Sequence, residues 1–434
     1  LTEIGSRLIL DIEKPAAGGR VLARHTGRVV LVSGAIPGER VSARVERIGK
    51  GVVYAETITV LAASPDRRAA SADWRCGGNV FAHVAYERQL QLKAEIIRDA
   101  FVRIGHIALT DAPGVVGSTE HGYRMRARLH AQDGRLGFFR EGTHQVCDAG
   151  QTGQLLPSTV EWILRTQERL AADRLAGLAG LEIAENISGD ERVCHLELHG
   201  GTNPDAFAAL ADGLAGLSAE RTDRAGVVQL AGTSRVADTL HIGAGAGDAQ
   251  VRLERDVRAF FQGNRFLIER LATHVVSRVG GGPIVDLYAG VGLFGLAAVA
   301  AGERQVTVVE GDPISSVDLQ RNASVFGATV KVERRSVEAF LRSGGPARSG
   351  RGGPDYRDAT FIVDPPRTGM SRDALNGIVD KAPARIVYVS CDVATIARDA
   401  RALLDKGYAL DEVIGMDLFP NTAHVETIAV FQRT

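Results

Sequence analysis

The sequence predicts an α/β protein in three parts: a small all-β barrel over residues 1–62, a central α+β region over 63–240, and a doubly wound sheet over 241–434. Three observations predict it. Short Val-rich alternating segments broken by Gly and Pro fill the first 62 residues. From about residue 250, apolar strand patterns alternate with helix patterns, the signature of a doubly wound sheet. The stretch between mixes both patterns. A length of 434 residues fits about three domains.

In the first part, GRVVLV (27–32) and the run from Glu39 to Leu61 alternate apolar and polar residues, with turns at Gly18-Gly19, Gly34, Pro37-Gly38 and Gly49. Strands this short and this regularly spaced close into a barrel. Basic residues outnumber acids there, which suits either an RNA-binding platform or a plain spacer. In the second part a helix is expected from Ala85 to Gly105 and another from Thr159 to Gly177. Strands are expected at Tyr123–Ala131, Arg192–Gly200 and Val227–Arg235. The first of these sets Arg124, Arg126 and Arg128 on one face, because strand side chains repeat every two residues. Such a row can pair with phosphates, or simply guard a sheet edge. In the third part the strands are GPIVDLYAG, QVTVVEGD, ATVKVERRS, DATFIVDPPR, ARIVYVSCD, LDEVIGMDLFP and HVETIAVFQRT, and the Gly/Pro/Ser/Arg-rich stretch 343–357 reads as a surface loop.

The composition is that of a globular chain: 45% hydrophobic, 24% charged, net charge −1. Whole-chain disorder is excluded. No apolar run reaches the ~20 residues that span a bilayer, so no membrane association is expected. The opening LTEIGSRLILDIEKP carries charges through its only apolar stretch and is not a secretory signal. Cys76, Cys147, Cys194 and Cys391 are scattered and do not suggest a disulfide framework, so a reducing, cytoplasmic location is expected.

Four motifs carry chemistry. Asp286-Leu-Tyr288-Ala-Gly290-Val-Gly292-Leu-Phe-Gly295 follows a strand and opens a helix. Its glycine spacing is formally the dinucleotide fingerprint. An acid at the strand end instead suits S-adenosylmethionine, which has no pyrophosphate, and Glu310 closes the next strand where a ribose acceptor belongs. Asp364-Pro-Pro-Arg367 sits at a strand's carboxyl end, where ligands bind in open α/β sheets, with Arg367 in the place of the aromatic residue of amine methyltransferases. Ser390-Cys391-Asp392 places a thiol before a helix whose dipole can favour the thiolate. Phe419-Pro-Asn-Thr-Ala-His-Val-Glu426 puts a carboxylate at the same rim if the last strand is antiparallel. Together these suit methylation of a pyrimidine C5: a thiolate adds at C6, C5 attacks the methyl sulfonium, and a base removes the C5 proton.

With these residues assembled, the chain resembles the RNA uracil-5 methyltransferases that carry an N-terminal TRAM domain. The resemblance spans essentially the whole chain, on FFQGN (260–264), DLYAGVG, DPPR, SCDVATIARD (390–399) and FPNTAHVET (419–427). It implies a Rossmann-like class I methyltransferase sheet and an OB-like barrel that grips RNA. It implies that Cys391 is the nucleophile, Glu426 the base, and Gln262, Tyr288, Gly290, Gly292, Glu310 and Asp364 the surroundings of S-adenosylmethionine and target. The RNA is expected to be a structured loop, ribosomal in preference to transfer RNA, and no obligate protein partner is evident. Many relatives hold an iron–sulfur cluster, but the matching positions here are Ala70, Cys76, Asn79 and Thr152. Even with Cys147 nearby, the thiols are too few, so neither cluster nor metal is expected. Leu293 and Ser336 also depart from the family pattern at the donor site. Two other readings stay open: an RNA-binding protein with a degenerate methyltransferase domain, and a nicotinamide oxidoreductase.

Overall fold

The computed structural model describes residues 3–16, 18–70, 72–243, 249–302, 305–343 and 355–434. Strands β1 (Arg7–Pro15), β2 (Val21–His25), β3 (Arg28–Ser33), β4 (Arg40–Ile48) and β5 (Val52–Ala62) form a closed barrel in the order β1-β2-β3-β5-β4. Alternation does the work: Leu8, Leu10 and Ile12 point into the barrel core while Arg7, Ile9 and Asp11 face out. Closure of β1 on β4 leaves the barrel no open edge.

Next come α1 (Tyr86–Arg103), β6 (Val115–Val116), β7 (Arg126–Gln132), β8 (Arg135–Phe139), β9 (Val146–Asp148), α2 (Pro157–Ala172), β10 (Leu178–Glu185), β11 (Arg192–Leu198), β12 (Gly216–Arg221) and β13 (Arg224–Gly232). Seven of these strands make one sheet, ordered β13-β12-β11-β10-β7-β8-β9. Three sequence expectations shift here. Helix α2 stops at Ala172 rather than 177, because Arg174 turns into the left-handed region (φ 52°) and the chain re-enters as β10. Strand β13 ends at Gly232, whose φ of 55° turns the chain before Arg235 starts another strand. Strand β7 begins only at Arg126, since the backbone of Arg124 and Met125 bonds instead to Gln154 and Gly263.

The remaining elements are β14 (Arg235–Ile242), β15 (Ala249–Asp256), α3 (Ile268–Ser277), β16 (Ile284–Leu287), α4 (Leu293–Ala300), β17 (Val306–Glu310), α5 (Ser315–Ala323), β18 (Val330–Arg334), α6 (Val337–Arg342), β19 (Thr360–Val363), α7 (Arg372–Lys381), β20 (Arg385–Ser390), α8 (Val393–Leu404), β21 (Tyr408–Met416) and β22 (Glu426–Arg433). Their eight-stranded sheet runs β18-β17-β16-β19-β20-β22-β21-β6, parallel from β18 to β20, with β22 antiparallel beside β20. It is the open doubly wound sheet the alternation predicts. The paired strands β14 and β15 run across residue 240 and bury Leu240, Ile242, Val251 and Leu253 in the core of this sheet. Helix α1 joins it too: Leu92, Ile96, Ile97 and Phe101 pack with Tyr388, Ile396 and Ala400. Most of the loop at 343–357 lies outside the described residues.

Candidate active site

The carboxyl ends of β16, β17, β19 and β20 open on one cavity of about 630 Å³. Gln262, Tyr288, Gly290, Glu310, Asp364, Cys391 and Glu426 all line it. The sheet register explains why the last two meet. Ser390 pairs with Thr427 at the end of the β20–β22 ladder, so Cys391 and Glu426 are the next residues along on the two chains. They are remote in sequence and opposite in space because β22 is antiparallel, the condition the sequence reading set. Asp364 follows Val363, which pairs with Leu287 on one side and Tyr388 on the other. That puts all three reactive groups on one rim.

The electrostatics follow from burial. Glu426 is only 1% exposed, and its Oε1 has no hydrogen-bond partner among the described residues. Burial first, then the neighbouring Asp364, raises its carboxyl well above the usual range. Asp364 accepts a hydrogen bond from Gln262 Nε2 at 3.2 Å, yet burial pushes its carboxyl up to about 7. The Cys391 thiol is pushed up to about 11, by burial and by Glu426, against the pull of the Arg367 guanidinium beside it. Burial and a nearby carboxylate thus oppose the thiolate that the start of α8 was expected to favour. Arg367, seen in the sequence only as a replacement for an aromatic ring, faces the thiol. The signal lay in the motif itself, a fixed cation three residues after an acid that also faces the cavity.

On the other flank, Glu310 accepts from the backbone N–H of Gly290 (2.7 Å) and of Asp312 (2.6 Å). Asp286 lies behind the cavity wall; its Oδ2 accepts from Gly295 N at 2.8 Å, and burial pushes it up to about 8. Gly292, expected among the donor contacts, is off the wall. Its φ of 104° makes the turn into α4, and a Cβ there would stand 2.5 Å from Leu296. Ser336 is spent as the N-cap of α6. Phe260, 60% exposed, lines the same cavity, as do Phe261 and Phe419.

The arginine row is partly committed. Arg124 is turned inward, bonded to Gln154 Oε1 at 2.6 Å and placed over the Phe138 ring. Arg126 and Arg128 pair with Glu182 and Glu197 on β10 and β11, each at 2.7 Å, and Arg126 also lines the cavity. The expectation about cysteines is corrected as well. Cys76 and Cys147 form a disulfide, because β9 and the segment before α1 bring their Cα atoms to 5.9 Å across 71 residues of chain. Asn79 and Thr152 are buried against each other, and Asn79 reaches Thr152 O when its amide is turned. Neither supplies a thiolate, so these residues do not fit an iron–sulfur cluster. Among the described residues no group of three or more His, Cys, Asp and Glu side chains is placed to hold a metal, and no helix is long and apolar enough to cross a membrane.

The chain is similar to known proteins over nearly its whole length. A family profile described as tRNA (Uracil-5-)-methyltransferase matches residues 232–434. The 23S rRNA (uracil(1939)-C(5))-methyltransferase RlmD of Pseudomonas putida is 31% identical over 460 residues, covering 99% of this chain and 94% of that one. An uncharacterized RNA methyltransferase of Nitratidesulfovibrio vulgaris is 29% identical, covering 99% and 96%. In fold, the chain is similar to the Pyrococcus abyssi tRNA (uracil-54, C5)-methyltransferase solved with S-adenosyl-L-homocysteine: TM-score 0.75, 24% identity, 98% of this chain and 100% of that one.

Proposed function

The chain belongs to the S-adenosylmethionine-dependent RNA uracil-C5 methyltransferase family, and from that premise we propose that it forms 5-methyluridine in a structured loop of ribosomal RNA through a covalent adduct on Cys391. The observation that carries the reading is the register of β20 and β22, which sets a thiol and a buried carboxylate side by side on a cavity wide enough for donor and base.

The residues present fit the donor: a cavity with Gln262, Tyr288, Gly290, Glu310 and Asp364 on its wall and Gly292 shaping the turn beside it. The donor supplies an electrophilic methyl group. The chain supplies the rest. A flipped uracil costs a few kcal/mol to unstack, least in a loop already bent. Cys391 adds to C6 as a thiolate: its proton passes to solvent water at the open side of the cavity, against the burial that holds it on sulfur, and the Arg367 guanidinium offsets the charge left behind. Addition makes C5 the carbon of an enolate, which takes the methyl group as the sulfonium C–S bond breaks and its electron pair stays on the departing thioether sulfur. Glu426 then removes the C5 proton; the same burial that raises its pKa makes its carboxylate a stronger base. The electrons of that C–H bond restore the C5–C6 double bond and expel the thiolate.

Arg126 and Arg128 are assigned to RNA phosphates near the cavity mouth, exchanging their glutamate partners for the backbone; Arg124 faces inward and supports them. The mildly basic barrel adds a second RNA surface, and the RlmD similarity favours a ribosomal target in the cytoplasm. The test is transfer of labelled methyl to unmodified 23S rRNA and tRNA transcripts. Cys391→Ala abolishes transfer and adduct; Glu426→Gln leaves a methylated protein–RNA adduct that survives denaturation. Near-normal turnover by Cys391→Ala would overturn the mechanism, and preference for the tRNA transcript would overturn the ribosomal assignment.

A further inference from the structure

We propose that Gln89 and Lys93, on one face of α1, are positioning residues for proton removal by Glu426; this deepens the reading above and rests on it. The hairpin β21–β22 closes at the pair Met416–Glu426, so residues 417–425 form its loop. Glu426 Oε1 has no partner of its own among the described residues. Its place is therefore set by the backbone that carries it, and that backbone is held from one side by α1.

The hold is specific. Lys93 Nζ pairs with the Asp417 carboxylate, both side chains fully buried, and donates to Phe419 O at 3.1 Å. Tyr86 Oη donates to Asp417 Oδ2 at 3.0 Å. Gln89 and Asn421 clasp each other: Gln89 Nε2 donates to Asn421 Oδ1 and Asn421 N donates to Gln89 Oε1, both at 2.9 Å. Asn421 has a φ of 64°, in the left-handed region, which this clasp stabilises locally. Residues 86, 89 and 93 follow helical spacing, so one face of α1 grips the loop at its start and its middle.

A buried ion pair is weak support for stability, since apolar residues of similar size often replace it without loss. What it supplies is fixed geometry, at high cost if only one partner is removed. Asp417 directly follows Met416, the cross-strand partner of Glu426, so a shift at Asp417 passes straight to the base. Proton transfer demands hydrogen-bond reach, and a misplacement near 1 Å costs about 100-fold in rate.

The double variant Lys93→Met/Asp417→Asn removes the charges together, and Gln89→Leu breaks the clasp independently. Each is compared with wild type for melting, calorimetric affinity for S-adenosylmethionine, kcat and KM on a 23S rRNA transcript, and adduct on a denaturing gel. The expected result is a folded protein with unchanged donor affinity and KM, kcat lower by about 100-fold, and accumulation of the methylated adduct, because addition and transfer proceed while proton removal lags. If one variant fails to fold, the other carries the same expectation. Unchanged kcat in a folded variant, or loss of adduct in step with kcat, overturns the proposal. If wild type methylates neither 23S nor tRNA transcripts, the underlying functional reading fails, and the proposal with it.

Discussion

A half-buried thiol beside a carboxylate makes a poor nucleophile at neutral pH, and Cys391 is such a thiol. Its pKa, pushed up to about 11, is the sum of burial and Glu426 raising it and Arg367 lowering it. The sign is testable without RNA. Cys194 is fully buried, and Cys76 and Cys147 are tied to each other, so Cys391 is the one thiol open to a small alkylator. Its iodoacetamide labelling in the native apoprotein should rise about tenfold per pH unit and level off only near pH 11. Arg367→Gln removes the cation that favours the thiolate, so the curve moves to still higher pH. A plateau below pH 8 in wild type would show that the free site already holds a thiolate.

At the scale of elements, the reactive groups owe their places to strand ends and caps. Asp392, one residue past Cys391, is the N-cap of α8; its carboxylate accepts from Ala394 N at 3.0 Å and Thr395 N at 2.8 Å. Asp392→Ala leaves those donors bare and costs about 1 kcal/mol. The checks are a lower denaturation midpoint and faster Cys391 labelling as the strand end loosens; an unchanged midpoint rules out the cap's role. Elements of this kind were legible where one local signal decided them. The Val-rich alternation from Arg28 to Leu61 announced the barrel, and the glycines after Asp286 announced the turn into α4. What escaped depended on partners distant in sequence. Nothing local shows that Tyr123–Met125 bonds outside β7, or that α1 packs on the eight-stranded sheet. Cys391 and Glu426 were legible as chemistry, but their adjacency waited on the antiparallel register of β22. Arg124, Arg126 and Arg128 were legible as a row, while the acids that answer two of them come from β10 and β11.

At the scale of the molecule, a chain of polar contacts leads from the disulfide to the loop before Glu426. Gly77, next to Cys76, accepts from Gln154 Nε2 at 3.1 Å. Gln154 Oε1 in turn accepts from Tyr123 Oη at 3.2 Å, and that hydroxyl lies 3.4 Å from Pro420 O. The Cys76–Cys147 bond closes a long loop, so its main contribution is to shrink the unfolded ensemble, by about 2–4 kcal/mol. It holds the segment before α1 to the central sheet at the place where an iron–sulfur cluster lacks ligands. Two measurements follow. Protein purified without reductant, then denatured and alkylated, should label only Cys194 and Cys391, and all four cysteines after reduction. Cys76→Ser/Cys147→Ser should unfold at lower denaturant, and the wild type purified without oxygen should contain no iron. Labelling of all four thiols before reduction would refute the cross-link. Iron bound in stoichiometric amount would mean that this corner is a metal centre after all, with ligands recruited from beyond Cys76 and Cys147.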